Sequence, residues 1–228
     1  MGITDRQKEI LGGAVEAYIR YAEPVSSQFL EDSYELGVSP ATIRNELFEL
    51  TLQGYLSQPY VSSGRVPTDK GYRFYVDEVL ERGLGKPVVL EVRREAGDDA
   101  EFVYGLLQEL SAFVSGLVLA YVGERQFLWK EGWERVLGEP EFAERSMMDN
   151  FLHFLRDVES GMGEVKMEQT LEVYIGGENP FSRVRDFSIM VAECRLPGSK
   201  KSIVALVGPK RMHYEKNLRA LRSLNSMI

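Results

Sequence analysis

Apolar residues recur at helical spacing from the start of the chain. Ile10, Leu11, Ala14, Val15, Tyr18 and Ile19 form one stripe. Thr4 stands before it as an N-cap with Asp5 in the first turn, and Pro24 stops the helix after Tyr21. Val25-Ser26 opens a shorter helix through Phe29, Leu30 and Tyr34, and Gly37 marks the turn after it. Ser39 is the N-cap of a third helix and Pro40 its first residue, where a missing N–H costs nothing. Ile43, Leu47 and Leu50 are the buried stripe of this helix, and Gly54 closes it. The period then changes. Residues 55–59 read as a short strand, 61–64 as a polar hairpin tip and 65–67 as the return. Thr68-Asp69 caps a fourth helix that carries Tyr72, Phe74, Tyr75, Val76, Val79 and Leu80. The predicted order is helix, helix–turn–helix, two-stranded wing, helix.

Residues 81–100 lose this periodicity. Gly83, Gly85, Pro87, the charged run Arg93-Arg94-Glu95 and Gly97-Asp98-Asp99 read as a linker, with room for a short strand over 88–92. A helix is expected over 101–114, a β-type run at Leu117–Val122 and a helical stretch over 141–159. Strands are expected over 170–175, 187–195 and 202–207, and a last amphipathic helix over 212–224. Strands mixed with flanking helices predict an α+β sheet domain. The domain expectation is 1–82, a linker over 83–99, and 100–228.

Charge adds little. The net charge is −8, which argues against a nonspecific nucleic-acid coat but leaves local charge to decide DNA binding. From Ser39 to Tyr75 the bases Arg44, Arg65, Lys70 and Arg73 outnumber the acids Glu46, Glu49 and Asp69 by one. Such a weak excess points to binding through geometry and symmetry. The single cysteine, Cys194, cannot form an internal disulfide. No apolar signal core and no transmembrane-length run is present, so the expected location is the cytoplasm and no membrane is expected as a partner.

Candidate chemistry concentrates in the third helix and the wing. Opposite the buried stripe the third helix presents Ala41, Thr42, Arg44, Asn45 and Phe48. Such a helix fits a DNA major groove with its N-terminal residues on base edges. Arg44 suits a guanine edge or a phosphate, Asn45 suits adenine N6/N7, and Thr42 suits a thymine methyl or a phosphate. Ser39 lies at the helix N-terminus, which favours phosphate. In the wing, Ser62, Ser63 and Gly64 allow close approach to a backbone, and Arg65 suits a narrow minor groove. Lys70 and Arg73 are candidate phosphate contacts. Each feature alone also fits a solvated helix face or an ordinary hairpin. Enzyme chemistry finds no support: His153 and His213 are far apart with no metal-ligand spacing, and Cys194 reads as a small buried hydrophobe. No cofactor or metal site is expected. Glu178-Asn179-Pro180 and Pro209-Lys210-Arg211 could line a pocket, but turn chemistry accounts for them.

Ser39-Pro40-Ala41-Thr42-Ile43-Arg44-Asn45-Glu46, then Gly54-Tyr55-Leu56 and the run from Ser63-Gly64-Arg65 to Asp77, resemble the heat-inducible transcription repressor family HrcA. Val173-Tyr174-Ile175-Gly176-Gly177-Glu178-Asn179 and Gly208-Pro209-Lys210-Arg211-Met212-His213-Tyr214 are similar to the family's GAF-like domain. The resemblance implies a winged helix followed by a GAF-like α+β domain. It further implies repression of chaperone genes by a homodimer on an inverted-repeat operator in double-stranded DNA, relief on heat shock, and the GroE chaperonin as a possible partner. Family members are usually longer, with a dimerising domain inserted into the GAF-like domain. Here Leu117–Val122 runs almost directly into Phe127-Leu128-Trp129, so the insert, and part of the GAF-like sheet with it, is expected to be missing. The alternative class is a winged-helix protein-interaction module without sequence-specific DNA binding.

Overall fold

The computed structural model describes residues 2–90, 99–123, 127–197, 199 and 201–224. The chain divides into two compact units, Met1–Gly83 and Leu84–Ile228.

In the first unit, helix α1 (Asp5–Tyr21) begins with a capping box, in which Thr4 and Gln7 satisfy each other's backbone N–H groups. Its stripe Ile10, Leu11, Ala14 and Val15 is fully buried. Helix α2 (Ser27–Ser33) is capped by Ser26, and α3 (Pro40–Leu52) by Ser39. Ile43, Leu47 and Leu50 of α3 are buried. Strands β1 (Leu56–Ser57) and β2 (Val66–Pro67) pair antiparallel, Leu56 with Pro67 and Ser57 with Val66. The expected five-residue first strand is therefore only two residues long, because the chain turns away after Ser57. Helix α4 (Asp69–Glu81), capped by Thr68, closes the core with Tyr72, Tyr75, Val76 and Val79. This is a winged helix-turn-helix.

The second unit is built on a five-stranded antiparallel sheet in the order β4-β3-β7-β6-β5. The strands are β3 (Leu117–Val122), β4 (Phe127–Glu131), β5 (Leu171–Ile175), β6 (Phe187–Cys194) and β7 (Ser202–Pro209). Alternation along each strand feeds two cores. Leu117, Leu119, Phe187, Ile189, Val191, Ile203, Ala205 and Val207 pack with Val136 of α6 (Trp133–Leu137) and with Phe151, Phe154 and Val158 of α7 (Arg145–Gly161). The other face meets α5 (Asp99–Phe113) and α8 (Tyr214–Leu224). There Ser188 hydrogen-bonds the Tyr214 hydroxyl at 2.9 Å, a buried polar pair that stays satisfied.

Several expectations are corrected here. The helical stretch over 141–159 is broken: Pro140–Ala143 is a 3-10 turn, Glu144 is extended, and α7 starts at Arg145. The break lets Phe142 face the core and stack on Phe187 at 6.2 Å. The connection from β3 to β4 is a hairpin, Val122 opposite Phe127. The short strand expected over 88–92 does not form at Val88, Val89 or Leu90, and its remainder lies outside the described residues, as do Arg93-Arg94-Glu95 and Gly97-Asp98. The stretch 84–90, expected as linker, packs on the second unit. Leu84 and Leu90 are buried, and the Val88 N–H donates to Ser223 Oγ at 2.7 Å.

Candidate nucleic-acid interface

The face of α3 away from its core is open. Ala41, Arg44, Asn45, Phe48, Glu49 and Leu52 are exposed, and Thr42 is half-buried. The Ser39 hydroxyl accepts from the Thr42 N–H at 3.3 Å and lies 3.1 Å from the Thr42 hydroxyl, so both groups finish the helix start. Among the described residues neither Arg44 nor Glu49 makes an ion pair. Glu46 points elsewhere. It accepts from Gln7 Nε2 at 3.0 Å and pairs with Arg6 at 3.7 Å, beside the start of α1. One of the three acids is thus withdrawn from the outer face of α3.

The wing is shaped by contacts distant in sequence. Arg65 and Val25 exchange backbone hydrogen bonds of 2.9 and 2.8 Å, which fastens the return of the wing to the α1–α2 connection. That approach requires Gly64: a Cβ there would sit 2.5 Å from the backbone of Pro24 and Val25. At the tip, Ser63 donates to the Tyr60 carbonyl through both its N–H (3.0 Å) and its hydroxyl (2.8 Å). Ser62 takes φ +74°, a left-handed conformation uncommon for serine. Gln58 Nε2 reaches the Ser63 carbonyl at 3.0 Å. Tyr60 and Val61 project into solvent.

Between α3 and the wing lies a cleft of about 380 Å³ lined by Ser26, Ser27, Arg44, Gln58, Ser62, Ser63, Gly64 and Arg65, among others. The fold therefore brings Arg44 together with all four wing candidates. It adds Ser26, Ser27 and Gln58, which sequence reasoning missed because the signal that unites them, the Val25–Arg65 pairing, spans about forty positions. Arg65 does not reach out from the tip. Its Nε donates to Thr51 Oγ1 at 3.0 Å, along the flank of α3. Lys70 sits apart from this group. Its ammonium donates to the Gln53 carbonyl at 2.8 Å, at the C-terminal end of α3, and lies 4.0 Å from the centre of the Tyr55 ring. Thirteen residues of α3, roughly 20 Å of helix, separate it from Ser39. Arg73 pairs with Asp77 at 3.3 Å.

The polar clusters of the second unit are spent inside it. Asn179 is buried, and its amide binds the Gly176 carbonyl (2.7 Å) and the Ser182 N–H (2.7 Å). Arg211 forks onto Glu141 at 2.8 and 3.0 Å and also binds Glu139. These carboxylates hold its guanidinium charged against the cost of burial. Burial pushes the Cys194 thiol up to about 12, the reverse of what a nucleophile needs. Among the described residues no cluster of His, Cys, Asp and Glu could hold a metal ion. Among the described residues no helix is long and apolar enough to cross a membrane.

Residues 82–218 match the family model of the HrcA protein C-terminal domain. A heat-inducible transcription repressor HrcA of Thermoanaerobacter sp. strain X514 is 26% identical over 320 residues, covering 95% of this chain and 93% of the relative. At least 92 of those positions (320 − 228) have no residue here. Another HrcA, from Desulforudis audaxviator, is 54% identical over 81 residues, 36% of this chain and 24% of its own length. A crystal structure of a hypothetical protein shares the fold with a TM-score of 0.79 at 20% identity, over 98% of this chain and 96% of that one.

Proposed function

The chain belongs to the HrcA family and is a heat-inducible transcription repressor, and from that premise we propose that it works as a homodimer reading an inverted-repeat operator in double-stranded DNA. Two copies of α3 enter successive major grooves, about 34 Å apart, and two-fold symmetry of the protein imposes the inverted repeat. Thr42 and Asn45 touch base edges, and Arg44 touches a base or a phosphate. Ser39, Ser62, Ser63, Gly64 and Arg65 approach the sugar–phosphate backbone and minor groove. Lys70 and Arg73 add positive potential at the far end of α3. The first unit is the DNA-binding domain and the second unit, which takes in residues 84–90, the regulatory and pairing domain.

The observation that carries this reading is the open outer face of α3, with Asn45 at its centre and Arg44 bordering the cleft against which the wing is fastened. The two-residue strands and the wedge of Gly64 hold the wing beside the helix without covering that face.

Fluorescence-anisotropy titration of the full chain against a labelled inverted-repeat duplex and a scrambled control, at two salt concentrations, tests it. The expected result is tight binding to the repeat alone, with affinity falling steeply with salt. Equal weak binding to both duplexes would instead favour a protein-interaction module. Repeating the titration with GroE chaperonin tests whether that partner raises the active fraction.

A further inference from the structure

Two large apolar side chains stand out on α3. Phe48 is 51% exposed and Leu52 is 66% exposed, in a helix whose opposite stripe is completely covered. At about 100° per residue, Ala41, Asn45, Phe48, Glu49 and Leu52 share an arc about 100° wide. The spacing 45, 48, 49, 52 is i, i+3, i+4, i+7, the spacing with which a homeodomain helix reads its groove.

We infer that Phe48, backed by Leu52, reads thymine methyl groups in the operator, extending the reading face beyond Thr42, Arg44 and Asn45. This rests on the DNA-reading function proposed above. A phosphate gives Phe48 nothing and repels Glu49. An apolar protein surface suits Phe48 and Leu52 but buries the Asn45 amide and the Glu49 carboxylate without partners. The floor of a major groove meets all four in one strip. It offers the thymine methyl as its apolar group, adenine N6/N7 to Asn45 and the cytosine N4 amino group to Glu49. The strip is also continuous with Thr42 at the helix start, so a helix placed to use Asn45 already carries Phe48 over the next bases.

The test uses the full chain and the best inverted-repeat duplex that the wild-type chain selects from a randomised pool. The duplex is made once with thymidine and once with deoxyuridine, which lacks only the methyl group. Wild type is expected to lose about fourfold in affinity for each methyl that Phe48 covers. Phe48→Ala is expected to lose the share of that penalty that comes from the methyls under Phe48, about fourfold for each. Phe48 is exposed, so its melting transition serves as the check on folding. Equal wild-type binding to both duplexes overturns the inference, and so does an unchanged deoxyuridine penalty in Phe48→Ala. A wild-type chain that selects no duplex over the scrambled control overturns the proposed DNA reading itself, and the inference with it.

Discussion

Arg65 Nε donates to Thr51 Oγ1 at 3.0 Å, and the Thr51 hydroxyl donates onward to the Leu47 carbonyl at 2.7 Å. A side chain from the returning edge of the wing is thereby tied to the last turn of α3. Arg65 Nη1 also donates to the Ser63 carbonyl at 3.4 Å, so the guanidinium is held between α3 and the wing, and the minor-groove role proposed for it is exercised from there. Thr51→Val keeps the shape and removes both bonds. It is expected to cost about 1 kcal/mol of stability, read in urea unfolding. It should also weaken operator and scrambled duplex by the same factor, because the wing is loosened while base contacts remain.

Three glycines make contrasting predictions. A Cβ on Gly64 would meet the Pro24 and Val25 backbone at 2.5 Å, and one on Gly71 the Tyr55 carbonyl oxygen at 2.3 Å. Backbone cannot step aside as a side-chain end can. Gly64→Ala and Gly71→Ala are each expected to destabilise the first unit by about 1–3 kcal/mol, the cost typical of overpacking. Gly12 lies within α1 with nothing within 4 Å of an added Cβ. Gly12→Ala is expected to stabilise by about 0.5–1 kcal/mol, the helix-propensity difference alone. Denaturation midpoints of the three variants should therefore fall on opposite sides of wild type.

Base reading and charge should separate in binding. Asn45→Ala is expected to cost about 1–3 kcal/mol on the operator and to relax sequence preference at its base pair. Lys70 behaves differently, because its ammonium already closes the end of α3 on the Gln53 carbonyl. Lys70→Met is expected to weaken all duplexes alike and to lower the salt slope by about 1, with a small loss of stability. Anisotropy titrations across a salt series distinguish the two. An Asn45→Ala chain with unaltered discrimination would count against α3 as the reading helix.

The winged helix was legible because its signals are local. The i, i+4, i+7 stripe Ile43, Leu47, Leu50, the Ser39 cap and Pro40 lie within one element, and each sits as the periodicity requires. What stayed hidden depends on distant contact. No local pattern says that Val25 pairs with Arg65, so the role of Gly64 and the inclusion of Ser26, Ser27 and Gln58 in the cleft could not be read. The break at Glu144 was hidden for the same reason: Phe142 leaves helical register to meet Phe187, forty-five positions on. Lys70 and Arg65 read as free cations because sequence shows charge but not the carbonyl or hydroxyl that occupies it.

Alkaline pH should expose the burial of Cys194. The folded chain holds this thiol protonated up to about 12, against an ordinary value of 9.0. Between those values the unfolded chain sheds a proton that the folded chain keeps, so stability falls as pH rises from 9 to 12 and is untouched below 9. Tyr174, pushed up to about 12 by its own burial and its bond to Glu172, adds a similar slope that a change at Cys194 leaves alone. Cys194→Ala is expected to show a shallower decline of the urea midpoint across that window than wild type. Parallel declines would mean that the thiol is accessible.

Heat release, if it runs through the second unit, should follow the joint between α8 and β3. Asn217 is fully buried, accepts from the Ser115 N–H at 2.9 Å and donates to the Ser115 carbonyl at 2.7 Å. One side chain thus completes both backbone groups of the residue that leads into Gly116 and β3. Asn217→Ala leaves that N–H and C=O without their partner, at about 1–3 kcal/mol for each group that water does not reach. In a unit of this size such a loss lowers the melting temperature by several degrees or more. The first unit holds no part of this network, so operator binding at low temperature should stay near wild type. On warming, the variant is expected to release the inverted-repeat duplex at a temperature lowered by the same number of degrees as its melting transition. Release at the wild-type temperature, with melting clearly lowered, would place the heat-sensitive step outside this unit.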